Sequence, residues 1–102
     1  MANSKIHNPL TDRLVRALLS LQDEEECYKL LDDLCTIREI QDLAQRMEVA
    51  RMLRERITYN EIAQTTGVST ATISRVNRSL SYGEGGYDMV LDRLTTEVET
   101  DG

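Results

Sequence analysis

The chain has few histidines and cysteines, the side chains that hold zinc in structural sites or form disulfides. Its 102 residues include one histidine, His7, and two cysteines, Cys27 and Cys35. The cysteines lie on what reads as one helix, with a rise of about 12 Å between them, which is too long for a disulfide within the chain. We therefore expect reduced thiols in the core, a solvated His7 and no zinc site.

Long apolar runs are absent as well. No stretch of about eighteen apolar residues occurs, and the start of the chain, MANSKIHNPL, lacks the apolar segment of a signal peptide, which predicts a cytoplasmic protein that does not enter a membrane. There is also no Cys/His pair and no phosphate-binding glycine loop, so we expect no enzymatic activity. With 40% hydrophobic residues, the chain is long enough for one domain with a modest core.

The sequence does contain a pattern typical of two short helices joined by a turn, over residues 58–80. Thr58 and Glu61 have the spacing of a capping box at the start of the first helix. Gly67 suits the positive φ of a chain that leaves this helix, and Ser69 is a favourable N-cap for the second. Five apolar residues have the spacing that packs one helix across the other: Ile62, Ala63, Val68, Ile73 and Val76.

We interpret this segment as a helix-turn-helix that binds double-stranded DNA. The side chains left outward on the second helix are short polar groups with two arginines, which suit a major groove. They are Ser69, Thr70, Ala71, Ser74, Arg75 and Arg78. We expect Thr70, Ala71 and Ser74 to touch base edges, and the two arginines to contact phosphate or guanine.

The free N–H groups at the start of each helix are predicted to bind phosphate. They belong to Tyr59, Asn60 and Ser69. Helix-turn-helix hairpins also occur as plain packing units, so the alternative is a protein–protein interaction module without sequence-specific DNA binding. Absent or salt-insensitive DNA binding would indicate that alternative.

The acidic balance of the chain is unevenly distributed. The net charge is −6 overall, but it is −4 over residues 1–45, +3 over 46–80 and −5 over 81–102. The only basic segment therefore holds the hairpin and the helix before it, and the acidic flanks would be repelled by phosphate. The alternative is that the arginines before the hairpin form a solvated helix face paired with Glu48 and Glu55. These arginines are Arg46, Arg51, Arg54 and Arg56.

Capping signals and helical periodicity predict six helices and no strand, an all-α fold in a single domain over residues 1–102. Asn8 and Pro9 would start the first helix, and Thr36 and Glu39 repeat the capping-box spacing before the third. The predicted organisation is a flexible arm at 1–8, dimerisation helices at 9–35, a long central helix at 36–57, the hairpin at 58–80, a C-terminal helix at 81–98 and a tail at 99–102.

The first two helices are strongly apolar but lie far in sequence from the hairpin. An intertwined homodimer would bury this surface and set two recognition helices about 34 Å apart, which predicts a palindromic operator. The alternative is a compact monomer in which both helices fold back on the hairpin.

The stretch LCTIREIQDLAQRMEVARML, followed by the hairpin with ATISRVNRSL, resembles the tryptophan repressor superfamily. The later segment YGEGGYDMVLDRL is similar to the YerC/YecD-type repressor-related proteins, so the resemblance covers nearly the whole chain. It implies an intertwined helical dimer that binds operator DNA and represses transcription. In the tryptophan repressor itself, this requires L-tryptophan as a small-molecule co-repressor.

The resemblance also implies a ligand pocket. Thr36, Arg46, Arg75 and Ser79 stand where the family has residues that contact the ligand, whereas Val76 stands where the repressor has a glycine beneath the indole. The added isopropyl group would displace the ring, at a cost of about 1–3 kcal/mol. We therefore expect no required cofactor and disfavour L-tryptophan as the ligand. Val76 is equally explained as a core residue of the hairpin.

Overall fold

The computed structural model describes the backbone of residues 6–101 and the side chains of residues 6–95. Over these residues the protein is all-helical, with six helices and no strand, as predicted. The helices are α1 (Pro9–Leu19), α2 (Glu24–Leu34), α3 (Ile37–Arg54), α4 (Tyr59–Thr66), α5 (Thr70–Tyr82) and α6 (Gly86–Asp101). Residues 1–5 of the predicted arm and Gly102 of the predicted tail lie outside the described residues.

The first and third helices begin at the residues that the sequence indicates. Asn8 accepts a hydrogen bond from the Thr11 amide at 2.8 Å ahead of Pro9, and Asp23 caps α2. At α3 the capping box closes in both directions. The Thr36 amide donates to Glu39 at 2.8 Å, and the Glu39 amide donates to the Thr36 hydroxyl at 3.1 Å. These bonds satisfy N–H groups that a helix start leaves free.

The end of α3 has a conformation that the sequence does not indicate. The Arg56 amide donates to the Leu53 carbonyl at 3.0 Å, and the Ile57 amide donates to the Met52 carbonyl at 3.1 Å. These two bonds form a Schellman motif. Arg56 accordingly has a φ of 63°, in the left-handed region where glycine is the usual residue.

The chain divides into two compact units, residues 1–41 and residues 42–102. In the first unit, no described residue is fully buried, and Leu10, Leu14, Val15 and Leu18 of α1 remain exposed. Cys27 and Cys35 are free thiols, as predicted, but both are only half-buried. Their predicted core position is therefore wrong for this chain by itself, because its first unit has no buried core among the described residues.

The second unit has a buried core. Its members come from α3, from the two helices of the hairpin and the turn between them, and from α6. They are Val49, Ala50, Met52, Ile62, Val68, Ile73, Val76 and Leu91. The core therefore lies directly under the predicted helix-turn-helix, and it holds α4 and α5 in place.

The break after the hairpin falls later than expected. α5 continues to Tyr82 and α6 begins at Gly86, whereas the sequence places the hairpin's end near residue 80. A Cβ atom at Gly83 would lie 2.4 Å from the Ser79 carbonyl oxygen, so this C-cap position requires glycine. α6 continues to Asp101, past the predicted end at residue 98.

Candidate nucleic-acid interface

Two side-chain caps and one glycine define the hairpin. The Thr58 hydroxyl accepts from the Glu61 amide at 3.2 Å to start α4, and the Ser69 hydroxyl accepts from the Thr72 amide at 3.2 Å to start α5. Gly67 ends α4 with a φ of 75°, and its amide donates to the Ala63 carbonyl at 2.8 Å. The sequence predicts each of these positions, because every cap lies within a few residues of its partner.

The turn has one further support that the sequence analysis missed. The Thr66 hydroxyl donates to the Ile62 carbonyl at 2.7 Å and accepts from the Val68 amide at 3.2 Å. One side chain thus connects the last turn of α4 to the residue that leads into α5. A threonine before the C-cap glycine is the only sequence signal for it, and threonine hydroxyls are known to bond locally in this way.

The inner side of the hairpin is apolar, as the spacing predicts. Ile62 and Ile73 are fully buried, and Val68 and Val76 are buried with them. Ala63 is half-buried and packs against this cluster. The cluster fixes the crossing of α4 and α5, which determines which side chains of α5 remain outside.

All eight predicted DNA-contacting residues lie on the exposed surface of the hairpin. They are Tyr59, Asn60, Ser69, Thr70, Ala71, Ser74, Arg75 and Arg78. Ile73 and Val76 occupy the opposite, buried side of α5. The structure therefore separates an inward apolar side of α5 from an outward side of small polar groups and two arginines.

The arginines of α3 are partly neutralised by carboxylates. Arg51 donates to Glu48 at 2.7 and 3.0 Å and also pairs with Glu55. The hydrogen bond from Arg51 lowers the pKa of Glu48, and the same bond is the main cause that raises the pKa of Arg51. The prediction of pairing with Glu48 and Glu55 is thus confirmed for Arg51.

Arg54 has different partners, from the other end of the unit. Its Nη1 donates to the Asp88 carbonyl oxygen at 3.2 Å, its Nε lies 3.6 Å from Asp88 Oδ1, and its Nη2 bonds to Asp92. The bond to Asp92 raises the pKa of Arg54. Since these partners lie 34 and 38 residues away in sequence, no local pattern indicates them.

Four basic side chains in residues 46–80 have no ion-pair partner among residues 6–95. They are Arg46, Arg56, Arg75 and Arg78, and all four are exposed. The positive charge that remains uncompensated in this segment is therefore located on α5, on α3 and on the link before α4.

A family model described as Trp repressor protein matches residues 10–95. The chain is 57% identical to the uncharacterized protein YerC of Bacillus subtilis over 101 residues, which cover 99% of this chain and 96% of that protein. The chain belongs to the Trp repressor family. A solved structure of a TrpR-like protein from Eubacterium eligens agrees, with a TM-score of 0.87 at 56% identity over 91% of this chain and 96% of that chain.

Membership in the Trp repressor family confirms the resemblance seen in the sequence. This family consists of DNA-binding regulators. Its match extends over α1 to α5 and most of α6, so the family includes both the hairpin and the helices before it.

Five residues of this chain are predicted, by resemblance to the Trp repressor family, to line a ligand pocket, and they are divided between the two units. Thr36, in the first unit, uses its amide and hydroxyl to cap α3. In the second unit, Arg46, Arg75 and Ser79 are exposed, whereas Val76 is 3% exposed and belongs to the core. Val76 thus has the environment of an ordinary core residue.

An open groove of about 390 Å³ lies beside the C-terminal end of α5. Its lining is Met47, Ser79, Gly83, Glu84, Gly86 and Tyr87, so Ser79 is the one predicted ligand residue among them.

Among residues 6–101, no helix has the length and apolar character to cross a membrane. The same part of the chain holds no group of three or more His, Cys, Asp or Glu residues placed to bind a metal ion.

Proposed function

We propose that this protein is a sequence-specific DNA-binding transcriptional regulator that acts as a repressor. The observation that carries the proposal is the hairpin itself. Its inner residues are buried, and the residues that face outward on α5 are small polar groups with two unpaired arginines. Membership in a family of DNA-binding regulators supports the same role, which is regulatory and not catalytic. A cytoplasmic location fits it, because the relatives that the chain matches are bacterial and bacterial DNA lies in the cytoplasm.

The proposed contacts divide into those that read sequence and those that position the protein. Thr70, Ala71 and Ser74 would read base edges, and the methyl groups of Thr70 and Ala71 favour thymine. Arg75 and Arg78 would bind phosphate or guanine. The amides of Tyr59, Asn60 and Ser69 would bind phosphates at the starts of α4 and α5, which positions the hairpin without reading sequence.

The proposed active form is a homodimer on a palindromic operator. The exposed apolar residues of α1 and α2 support it, because a large apolar surface without cover is unfavourable in water. A second copy of this chain would cover that surface symmetrically and would bring a second hairpin. The two recognition helices would then lie about 34 Å apart, one turn of DNA.

We also propose that DNA binding requires no small-molecule co-repressor. Val76 supports this, since it fills core space under α5 where the family's ligand contacts a glycine. A valine in that place holds the reading helix against the core without help. The valine side chain would displace the indole ring of L-tryptophan, at a cost of about 1–3 kcal/mol.

The test is selection of bound duplexes from a randomised DNA pool by the purified protein, at near-physiological salt and without added ligand. We expect an enriched palindrome with half-sites about one helical turn apart. Enrichment only after addition of L-tryptophan would overturn the ligand-free proposal alone. No enrichment in either condition would overturn the DNA-binding proposal and favour a protein–protein interaction module.

A further inference from the structure

The arginines around the end of α3 differ in whether their charge is already compensated. Arg51 and Arg54 are both held by carboxylates of the same chain. Arg56, two residues beyond the end of α3, is exposed, and its guanidinium has no partner among the described residues. Its positive charge is therefore available to an anion from outside the chain.

The backbone position of Arg56 makes its side chain unusual. With a φ of 63°, it occupies the place in the C-cap of α3 where glycine is the preferred residue. Packing does not explain an arginine there, because the side chain is exposed. Thr58, the N-cap of α4, follows two residues later, and the proposed phosphate contacts Tyr59 and Asn60 come three and four residues after Arg56 in the chain.

We propose that Arg56 is a further DNA contact, which binds a backbone phosphate beside the start of α4. The inference rests on the proposed DNA-binding function and extends its interface from α4 and α5 to the link before them. The contact strengthens binding without reading bases, since phosphates carry no sequence information. A guanidinium suits this role because it presents parallel donors to phosphate oxygens.

The experiment measures binding to a mixed-sequence duplex of about 30 base pairs over a range of salt concentrations, by fluorescence anisotropy of the labelled DNA. The wild-type protein is compared with Arg56→Gly. Each lost phosphate contact lowers the magnitude of the slope of log K against log salt by about 0.9, and weakens binding about fivefold at 0.15 M salt. For Arg56→Gly we expect both changes, a slope smaller by about 0.9 and binding about fivefold weaker. If two copies bind the DNA together, the slope should fall by twice that amount.

Arg56→Gly also separates binding from folding. Glycine relieves the left-handed backbone, so we expect the thermal midpoint to stay the same or rise while DNA binding weakens. Arg56→Lys should keep the slope, because it keeps the charge. Arg51→Gln is the matched control, since it removes the same charge from a side chain already held by Glu48 and Glu55, and we expect it to leave the slope unchanged.

The outcomes distinguish this inference from the function on which it rests. No DNA binding by the wild-type protein, even at low salt, would overturn the proposed function and with it the Arg56 contact. Wild-type binding with an unchanged slope for Arg56→Gly would overturn the Arg56 contact alone. Equal slope losses for Arg56→Gly and Arg51→Gln would also overturn it, since they would indicate a general charge effect.

Discussion

Residues 6–41 and residues 42–95 both have apolar side chains at helical spacing, but only the second stretch buries them. In the second unit, Ile62, Ile73 and Val49 are completely buried. In the first unit, Leu10 and Leu19 are 75% and 79% exposed, and no described residue is fully buried. The difference indicates that a helical pattern predicts which face is apolar but does not tell whether the same chain covers that face.

The largest expected effect is on the core of the second unit. Ile73→Ala removes three carbons from a fully buried site under α5, and we expect the free energy of unfolding to fall by about 2–5 kcal/mol. Urea unfolding followed by circular dichroism measures it. The neighbouring exposed residue provides the control, and Ser74→Ala should stay within about 0.5 kcal/mol of wild type. Equal losses in the free energy of unfolding for Ile73→Ala and Ser74→Ala would contradict the distinction between the buried and the exposed side of α5.

A substitution on the apolar surface of the first unit should weaken the association of two copies of the chain. Leu14→Glu places a charge on the apolar surface of α1 that the proposed homodimer buries, so we expect the dimer dissociation constant to rise at least about a hundredfold. Sedimentation equilibrium measures it. Arg13→Glu introduces the same carboxylate at an adjacent exposed position of α1 and should have a much smaller effect. A Leu14→Glu protein that stays as dimeric as the Arg13→Glu protein would contradict this use of α1.

Two glycines after the hairpin allow a third comparison, within the second unit. Gly83→Ala would bring a Cβ to 2.4 Å from the Ser79 carbonyl oxygen, and we expect a loss of about 1–3 kcal/mol in the free energy of unfolding. Gly86→Ala meets nothing within 4 Å at the first residue of α6 and should be neutral or slightly stabilising. Thermal unfolding of both variants checks this, and a stable Gly83→Ala protein would show that the end of α5 relaxes easily.

The smallest effect concerns pH and the capping box of α3. The hydrogen bond from the Thr36 amide lowers the pKa of Glu39 below its ordinary value of 4.5. Its contribution to stability is therefore complete above pH 4.5 and is lost as the pH falls through the lowered pKa. Glu39→Gln keeps a capping side chain that does not titrate. Wild type should be slightly more stable than this variant at about pH 7, and the difference should shrink as the pH falls through the lowered pKa of Glu39. A difference that does not change with pH would contradict this.

Local signals in the sequence predict most of the fold, because each depends on residues a few positions apart. The caps at Asn8, Thr36, Thr58 and Ser69 are confirmed, as is the left-handed Gly67. The buried side of the hairpin follows from the same short spacings. These signals are sufficient to locate the hairpin and to decide which side of α5 faces outward.

The features that sequence reasoning missed depend on contacts between distant residues or on a choice between backbone states. The partners of Arg54 lie on α6, and only the folded second unit brings them to α3. The left-handed Arg56 could not be anticipated, because arginine has no preference for that conformation. The end of α5 lies later than the sequence indicates, since Ser81 and Tyr82 continue the helix until Gly83 caps it.

The division of α5 into two sides also bears on how such proteins diversify. Ile73 and Val76 hold the helix, whereas Thr70 and Ser74 lie outside the core and contribute little to stability. Substitutions at the outer positions can therefore accumulate without loss of the fold. Under the proposed function, two relatives with superimposable backbones need not recognise the same operator, and a designer could retarget this hairpin by changing a handful of outward side chains on an unaltered scaffold.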